Sequence, residues 1–450
     1  MGGDMLSAKK YISTVPFSGL FNWSVQYLND SKISFSKAYP MMRIGEFLKR
    51  NKTAVTIQDG VKYKRVTIKV RNGGVVPRDE VMGENIGTKK QFLVSEGQFI
   101  LSKIDARNGA MGIIPAELNG AVVTQDFLPY DIDTTKVNPQ YFVLVCTTKQ
   151  FVEFCQSCSS GTTNRQRVDE AQFLNIKVPV PSLAEQNKLV EEYNTAIARA
   201  LSLDNKIISL KSAIDEYICT TLGYNYIDTD SNQTKRLLSM YHYKNLARWD
   251  IFNLDYAVQS DIYDTIPLKD IIIGKPKYGA SYKTVHKVSD IRYIRITDIN
   301  EDGTLNEDIV SADGYDSQYL LQNNDFLIAR SGNTVGKTFL YDDSVGKAIY
   351  AGYLIKFDLD TNKVNPKYLL YYTKSSIYKK WINSNMRVSA QPNINSEQYL
   401  FSPIILPDIE MQNSIVKYID SIVGEIAKLT ESSKRNKTIA LTNFETKIFE

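Results

Sequence analysis

Gly332-Asn333-Thr334-Val335-Gly336-Lys337-Thr338 carries the glycines, lysine and threonine of a phosphate-cradling loop. Its spacing is wrong for one, because G-x-x-x-x-G-K-[ST] needs glycine at position 331 and this chain has Ser331. Nucleotide hydrolysis is not expected there. Cys155 and Cys158 stand at C-x-x-C spacing, but no second pair and no nearby histidine completes a zinc site, so cysteines on a helix is the simpler reading. The sequence has two histidines, His242 and His286, which removes most imidazole acid–base chemistry. Carboxylates are plentiful, yet no pair stands out as an acid/base couple and no nuclease-like cluster of acids with a lysine is evident. The chemistry that remains is recognition. Arg, Asn and Gln bond base edges bidentately, while Lys and Arg neutralise phosphates. Candidates of these types are Asn164, Arg165 and Arg167 in one polar loop, with Lys103, Arg107 and Asn108 after a strand. A second set is Arg387, Gln391 and Asn393 in another polar loop, with Arg330, Asn333 and Lys337 after another strand. Lys89, Lys90, Lys275, Lys277 and Lys283 are candidates for holding a phosphate backbone; each of these residues taken alone also reads as a solvated surface side chain.

Asn138-Pro139-Gln140-Tyr141 and Asn365-Pro366-Lys367-Tyr368 resemble the N-P-P-Y-type motif of amino-methylating DNA methyltransferases. The second proline is missing from both, and no glycine-rich cofactor loop accompanies either. An asparagine N-cap followed by proline at the first helical position accounts for both without catalysis.

These two segments belong to a repeat that runs through the chain. Lys136-Val137-Asn138-Pro139-Gln140-Tyr141 returns as Lys363-Val364-Asn365-Pro366-Lys367-Tyr368, 227 positions later, and Gln186-Asn187 returns as Gln412-Asn413, 226 positions later. Pro181 pairs with Pro407, Phe99 with Phe326, Asp131 and Asp133 with Asp358 and Asp360, Trp23 with Trp249, and Arg65-Val66-Thr67 with Arg295-Ile296-Thr297. A near-constant offset means two copies of one domain, too few for a solenoid and suited to a pseudo-dimer with two non-identical sites.

Composition agrees with a globular protein of two or three domains: 450 residues, 43% hydrophobic and 23% charged. The net charge of +4 permits an anionic polymer as partner without demanding one. No apolar run approaches the roughly 18 residues that cross a bilayer, and Met1-Gly2-Gly3-Asp4-Met5 lacks the apolar stretch of a signal peptide, so no membrane partner and a cytoplasmic location are expected. Four cysteines do not make a disulfide scaffold in so long a chain.

Each copy reads as a mixed strand and helix domain followed by one long helix. Strands are expected at Tyr63–Val70 and Gln91–Ser102, and again at Ile291–Ile296 and Asp325–Ala329. Helices start at Asn138-Pro139 and Asn365-Pro366, polar loops follow at Ser159–Arg167 and Val388–Asn395, and short apolar strands close each domain at Ile176–Val180 and Pro403–Leu406. Ser182-Leu183-Ala184-Glu185 is a capping box, and Asp408 holds the same place in copy two. From there Val190, Tyr193, Ile197, Leu201, Ile208, Ile214 and Ile218 form one apolar stripe; Val416, Ile419, Val423 and Ile426, then Ile439, Phe444 and Ile448, form another. A stripe on so long a helix wants a second helix, and each copy supplies one. Two separate helices packed on their own domains is the alternative.

Taken together these residues resemble the specificity subunit of Type I restriction–modification systems. The pieces that carry the likeness are Tyr293-Ile294-Arg295-Ile296-Thr297-Asp298-Ile299, Asn324-Asp325-Phe326-Leu327-Ile328-Ala329-Arg330-Ser331-Gly332 and the proline-ended strand before Gln412, with Gly97–Ser102 and Val178–Gln186 in copy one. The resemblance implies an α+β chain of two repeated target recognition domains, at 1–181 and 223–407, each followed by a conserved helix, at 182–222 and 408–450, the helices pairing as an antiparallel coiled coil. It implies that each domain reads half of a bipartite target in double-stranded DNA. The helices would set the unread spacer and dock two methyltransferase subunits, with restriction/translocase subunits joining them. Catalysis, and with it S-adenosylmethionine, ATP and Mg²⁺, would belong to those partners, leaving this chain without a cofactor, a metal or a catalytic residue. Copy one departs from the family at Lys103-Ile104-Asp105-Ala106-Arg107-Asn108, where copy two has the usual Arg-Ser-Gly turn, and the last helix is polar from Thr430 to Thr438. Two other readings are the recognition end of a methyltransferase or nuclease with its own activity, and a paired-domain adaptor for protein or RNA.

Overall fold

The computed structural model describes residues 39–148, 151–152, 155, 159–160, 167–224, 258–286, 290–386 and 392–449. The expected pair Trp23 and Trp249 lies outside them, as do His242 and Cys158. The chain forms two compact units, one built from Met1–Ser202 with Ser432–Glu450 and the other from Leu203–Glu431.

Both units contain the same four-stranded antiparallel sheet. In the first its order is Leu48–Arg50, Phe127–Ile132, Phe99–Ser102 and Met111–Ile113; in the second it is Lys277–Tyr278, Leu354–Phe357, Phe326–Ala329 and Thr338–Leu340. Phe99-Ile100-Leu101-Ser102 and Phe326-Leu327-Ile328-Ala329 are buried on both faces, which is why these central strands read as unbroken apolar runs. Phe99 packs on Phe142, Tyr130 and Phe173 in the first core, and Phe326 lies in a second core with Phe357, Tyr368, Tyr372, Trp381 and Tyr399.

The helices among the described residues include α1 (Pro139–Thr147), α2 (Glu170–Asn175), α3 (Leu183–Thr221), α4 (Pro366–Tyr372), α5 (Ser376–Asn385), α6 (Ser396–Leu400) and α7 (Ile409–Phe449). Asn138 caps α1 by accepting the amides of Gln140 and Tyr141, and Asn365 caps α4 through those of Lys367 and Tyr368. Ser182 accepts the Glu185 amide and Asp408 that of Met411, starting α3 and α7. The strands Lys177–Pro179 and Pro403–Ile405 pair antiparallel with Met41–Arg43 and Thr265–Pro267.

The helices α3 and α7 form an antiparallel coiled coil. On α3 the inward positions are Leu189, Tyr193, Ala196, Ala200, Leu203, Ile207, Leu210, Ile214 and Tyr217; on α7 they are Ile415, Ile419, Ile422, Ile426, Leu429, Ser433, Asn436 and Ala440. Alternating three- and four-residue steps are the heptad period. In the first unit Ser433 donates to the Ala200 carbonyl at 3.3 Å and Phe444 packs edge-on against Tyr141. In the second the Tyr217 and Tyr418 rings lie 4.1 Å apart, and Lys206 pairs with Glu425 at 2.7 Å. No described helix is long and apolar enough to cross a membrane.

Four expectations need correction. Gln91–Ser102 is two strands, Lys90–Leu93 and Phe99–Ser102, in different sheets, because Gly97 turns the chain at φ 80. Ile291–Ile296 is a strand only at Arg292–Ile294, after which Ile296–Asp298 coils into a 3₁₀ turn. Arg65 does not correspond to Arg295: Arg65 lies opposite Val122 and Tyr293 opposite Ile349, and Val122 and Ile349 are the repeat-related pair. Finally, Leu201 and Ile208 face solvent, 53% and 63% exposed, because the seam follows 3.5 residues per turn and passes through Ala200, Leu203 and Ile207 instead.

Candidate nucleic-acid interface

In each unit the central strand ends against the loop that carries the polar candidates. The Val168 amide donates to the Lys103 carbonyl at 2.9 Å, and the Ile394 amide to the Arg330 carbonyl at 3.0 Å. These are the same bond in the two copies, since Lys103 and Arg330 stand 227 positions apart and Val168 and Ile394 stand 226 apart. It brings Lys103 beside Arg167, and Arg330 beside Asn393. The second copy adds a bond from the Gly332 amide to the Pro392 carbonyl at 2.9 Å and a bridge between Ser331 and Asn393.

Local chemistry fixes the side chains at these ends. The Arg330 guanidinium lies 4.9 Å from the centre of the Tyr278 ring, a cation–π contact, and Tyr278 is held by a 2.9 Å hydroxyl bond to Ser396. Arg330 Nε and Asn393 Oδ1 are buried atoms without a hydrogen-bond partner among the described residues. Such groups are expensive unless something arrives to satisfy them. Asn333 is exposed in the 3₁₀ turn Gly332–Thr334. In the first copy Arg167 is exposed and pairs with Asp126 at 3.1 Å, Lys103 is half-buried, and Arg107 and Asn108 form the 3₁₀ turn Ala106–Asn108.

The remaining candidates are scattered or occupied. Lys89 is paired with Asp59 at 2.7 Å and donates to the Gly83 carbonyl, so its charge is already engaged, while Lys90 is exposed on the separate five-stranded sheet. Lys277 pairs with Asp358 at 2.8 Å, Lys275 is exposed nearby in sequence, and Lys283 is exposed beside the small sheet of Thr284–Val285 and Ser311–Ala312. Lys337 turns inward, pairing with Glu301 at 3.0 Å and donating to the Ile299 carbonyl. Asn164, Arg165, Arg387 and Gln391 lie outside the described residues. Sequence reasoning missed Tyr278 as the platform for Arg330 and missed the exposed Tyr353, whose carbonyl accepts the Arg330 amide. The run Lys277-Tyr278 was the available signal for the first.

The Asn-Pro-x-Tyr segments have a structural role in both units. Gln186 accepts the Asn138 amide at 2.8 Å and donates to the carbonyls of Lys136 and Pro181. Gln412 does the same with Asn365, Lys363 and Pro407. The tyrosine hydroxyls donate to the Pro179 and Ile405 carbonyls. Both motifs therefore fasten a long helix to its domain. Among the described residues no cluster of His, Cys, Asp or Glu is arranged to hold a metal.

Comparison with known proteins places this architecture. The sequence profile of the Type I restriction modification DNA specificity domain matches residues 37–212 and 262–439. A Type I restriction enzyme StySPI specificity subunit from Salmonella potsdam is 21% identical over 293 residues, covering 64% of this chain and 58% of that protein. The EcoBI specificity subunit from Escherichia coli is 19% identical over 380 residues, 82% of this chain and 77% of the relative. The chain thus aligns with less than two thirds of the StySPI subunit's length. A chain from a solved structure of a type I R-M system, described in terms of complex assembly and conformational transition, shares the fold with a TM-score of 0.52 at 15% identity, covering 92% of this chain and 97% of that one. With one domain match in each repeat and together spanning most of the sequence, the chain belongs to the Type I restriction modification DNA specificity domain family.

Proposed function

We propose that this chain is the DNA-reading subunit of a Type I restriction–modification complex. Each unit reads one half of a bipartite, gapped duplex target, and the paired helices set the spacer. The observation that carries this reading is the matched pair of loop ends: one framework bond, Lys103 to Val168 and Arg330 to Ile394, presents different polar side chains in the two copies. Two different half-sites require that combination. Discrimination of about 1–3 kcal/mol per base pair is modest in one small domain and adds when two are joined.

Two methyltransferase subunits dock on the helices in this reading, with restriction/translocase subunits completing the assembly. The exposed apolar residues Leu201 and Ile208 on α3, and Tyr418 and Val423 on α7, are suited to such partners. S-adenosylmethionine, ATP and Mg²⁺ act in those subunits; this chain supplies no catalytic group, and the complex works in the cytoplasm.

Arg330→Ala is expected to weaken target binding by about 1–3 kcal/mol while leaving non-specific DNA binding nearly unchanged. Fluorescence anisotropy with target and scrambled duplexes measures both, and an unaltered target affinity would remove Arg330 from the reading surface. Arg165→Ala is the matching test in the first copy. A second prediction concerns the helices. Inserting one heptad after Leu203 and one after Leu429 preserves the seam and lengthens each helix by about 10.5 Å, roughly three base-pair steps. The preferred spacer should grow accordingly, and an unchanged spacer would refute the helices as the ruler.

A further inference from the structure

Gly332, Asn333, Val335, Gly336 and Lys337, from the stretch rejected above as a hydrolytic phosphate loop, line a cavity of about 380 Å³ in the second unit. Its lining includes the apolar side chains of Val335, Ile382, Met386 and Pro392. It also includes Lys337, Lys374 and Lys379, with Glu301, which is ion-paired to Lys337. Lys374 Nζ is held in place by the Thr338 carbonyl and hydroxyl, both at 2.8 Å. The buried Tyr378 hydroxyl has no hydrogen-bond partner among the described residues.

The first repeat is built differently at the corresponding place. There the chain fills it with its own turn: Asn72, in the left-handed conformation at φ 58, donates to the Thr147 carbonyl at 2.9 Å and lies against Gly109. Thr147 and Gly109 are the counterparts of Lys374 and Gly336, 227 positions earlier. Phe151 and Ala110, counterparts of Tyr378 and Lys337, are buried and apolar. Where the first repeat has an apolar site closed by its own turn, the second has a cavity lined by three lysines.

We propose that this cavity is a nucleotide-binding site, taking the phosphate on Lys374 and Lys379 and the base against the apolar side chains of Ile382 and Met386. Its volume exceeds what an inorganic anion needs and falls in the range of small-ligand sites. Its apolar and cationic lining suits the two halves of a nucleotide, and it includes Gly332, Asn333 and Pro392, beside Arg330 and Asn393. The inference deepens the DNA-reading function and rests on it for one of two sources: a nucleotide extruded from the bound duplex, or a free nucleoside monophosphate. Electrostatics support the assignment. Burial lowers the Lys374 pKa to about 7 against the opposing pull of Asp302 and Glu301, with Lys379 and Lys337 pushing the same way as burial. A phosphate arriving there restores the charge, so binding above neutral pH takes up a proton.

The test uses the full-length chain and two probes. Adenosine 5′-monophosphate is titrated calorimetrically, and target duplexes carrying 2-aminopurine at successive positions are followed by fluorescence, which rises when the base leaves the stack. Lys379→Met removes an exposed cation of the lining, so its thermal stability should match the wild type; Lys374→Met removes the enclosed cation. Expected losses are about fivefold and more than tenfold in nucleotide affinity or in eversion. Monophosphate binding that falls in both variants supports the site with a free ligand. A 2-aminopurine signal at one position that falls in both variants supports it with a DNA nucleotide. Neither signal in the wild type, or signals indifferent to both substitutions, overturns the inference. Target duplex affinity is read in the same titrations: normal target binding without either signal rejects the cavity alone, whereas no target binding by the wild type rejects the DNA-reading function, and the monophosphate then decides the cavity by itself.

Discussion

Replacing Lys356 by methionine is expected to destabilise the second unit by about 3–5 kcal/mol, the cost of stranding buried charges. Lys356 is 7% exposed; its ammonium bonds both oxygens of Asp325, at 3.0 and 2.9 Å, and Asp358 at 3.1 Å. Burial pushes Asp325 up even with the Gln322 amide and Lys356 pulling it down. Burial also opposes ionisation of Asp358, but Lys277 and Lys356 hold it below the usual carboxylate range. In the wild type, Asp358 contributes stability that is present above the unfolded carboxylate pKa and lost as pH falls through its lower folded value. Asp325, raised, works the other way, since its folded form prefers the proton. Without Lys356 both carboxylates rise, so the folded variant binds protons more tightly than its unfolded chain, and the loss of stability should shrink as pH drops from 7 toward 5. Urea unfolding at the two pH values measures this. A loss under about 1 kcal/mol at pH 7, or one that grows on acidification, would contradict the account.

The first unit supplies the rescue. There Gln98 stands at the Asp325 position: its oxygen accepts the Ser95 amide as Asp325 accepts that of Gln322, and its nitrogen donates to Asp131 at 2.6 Å. A neutral amide thus does between Gln98 and Asp131 what an ammonium does between Asp325 and Asp358. Asp325→Gln combined with Lys356→Met should recover more than half of the loss.

Gln412→Ala is the second large effect. It leaves the Asn365 amide and the carbonyls of Lys363 and Pro407 unpaired at a site where Gln412 is fully buried. At about 1 kcal/mol or more per stranded group, the loss is about 3 kcal/mol or above, and the melting temperature should fall by roughly 6–12 °C. Gln412→Glu should be no better, because it sets a carboxylate against two carbonyl oxygens. Gln186→Ala should behave alike in the first unit, where the network is the same. A melting temperature within 2 °C of the wild type for Gln412→Ala would show that the helix is held by its apolar face alone.

Much of the fold was legible because it depends on local signals stated twice. Asn138-Pro139 and Asn365-Pro366 announce helix starts through capping, and Phe99–Ser102 and Phe326–Ala329 announce buried strands through unbroken apolarity. The seam was less legible. Its polar members Ser433 and Asn436 made α7 read as interrupted, and the branched Leu201 and Ile208 drew the stripe to the wrong side of α3. The small residues Ala196 and Ala200 hold the seam there, and small residues leave no mark in a hydrophobic pattern. Arg330 and Asn393 were each legible as candidates from residue type and the repeat, and the structure places them side by side. The inward turn of Lys337, the engagement of Lys89 by Asp59 and the cavity at Lys374 were not, because each depends on a partner distant in sequence.

The most direct test of the central claim is single-molecule sequencing of the source genome for N6-methyladenine, with this gene intact and with it deleted. The account predicts that deletion abolishes methylation at one bipartite, gapped motif and leaves other methylated motifs untouched, with the two halves of the lost motif giving the sequence read by each unit. Methylation that is present at a gapped motif and unchanged on deletion, or lost at a single continuous motif, would contradict it.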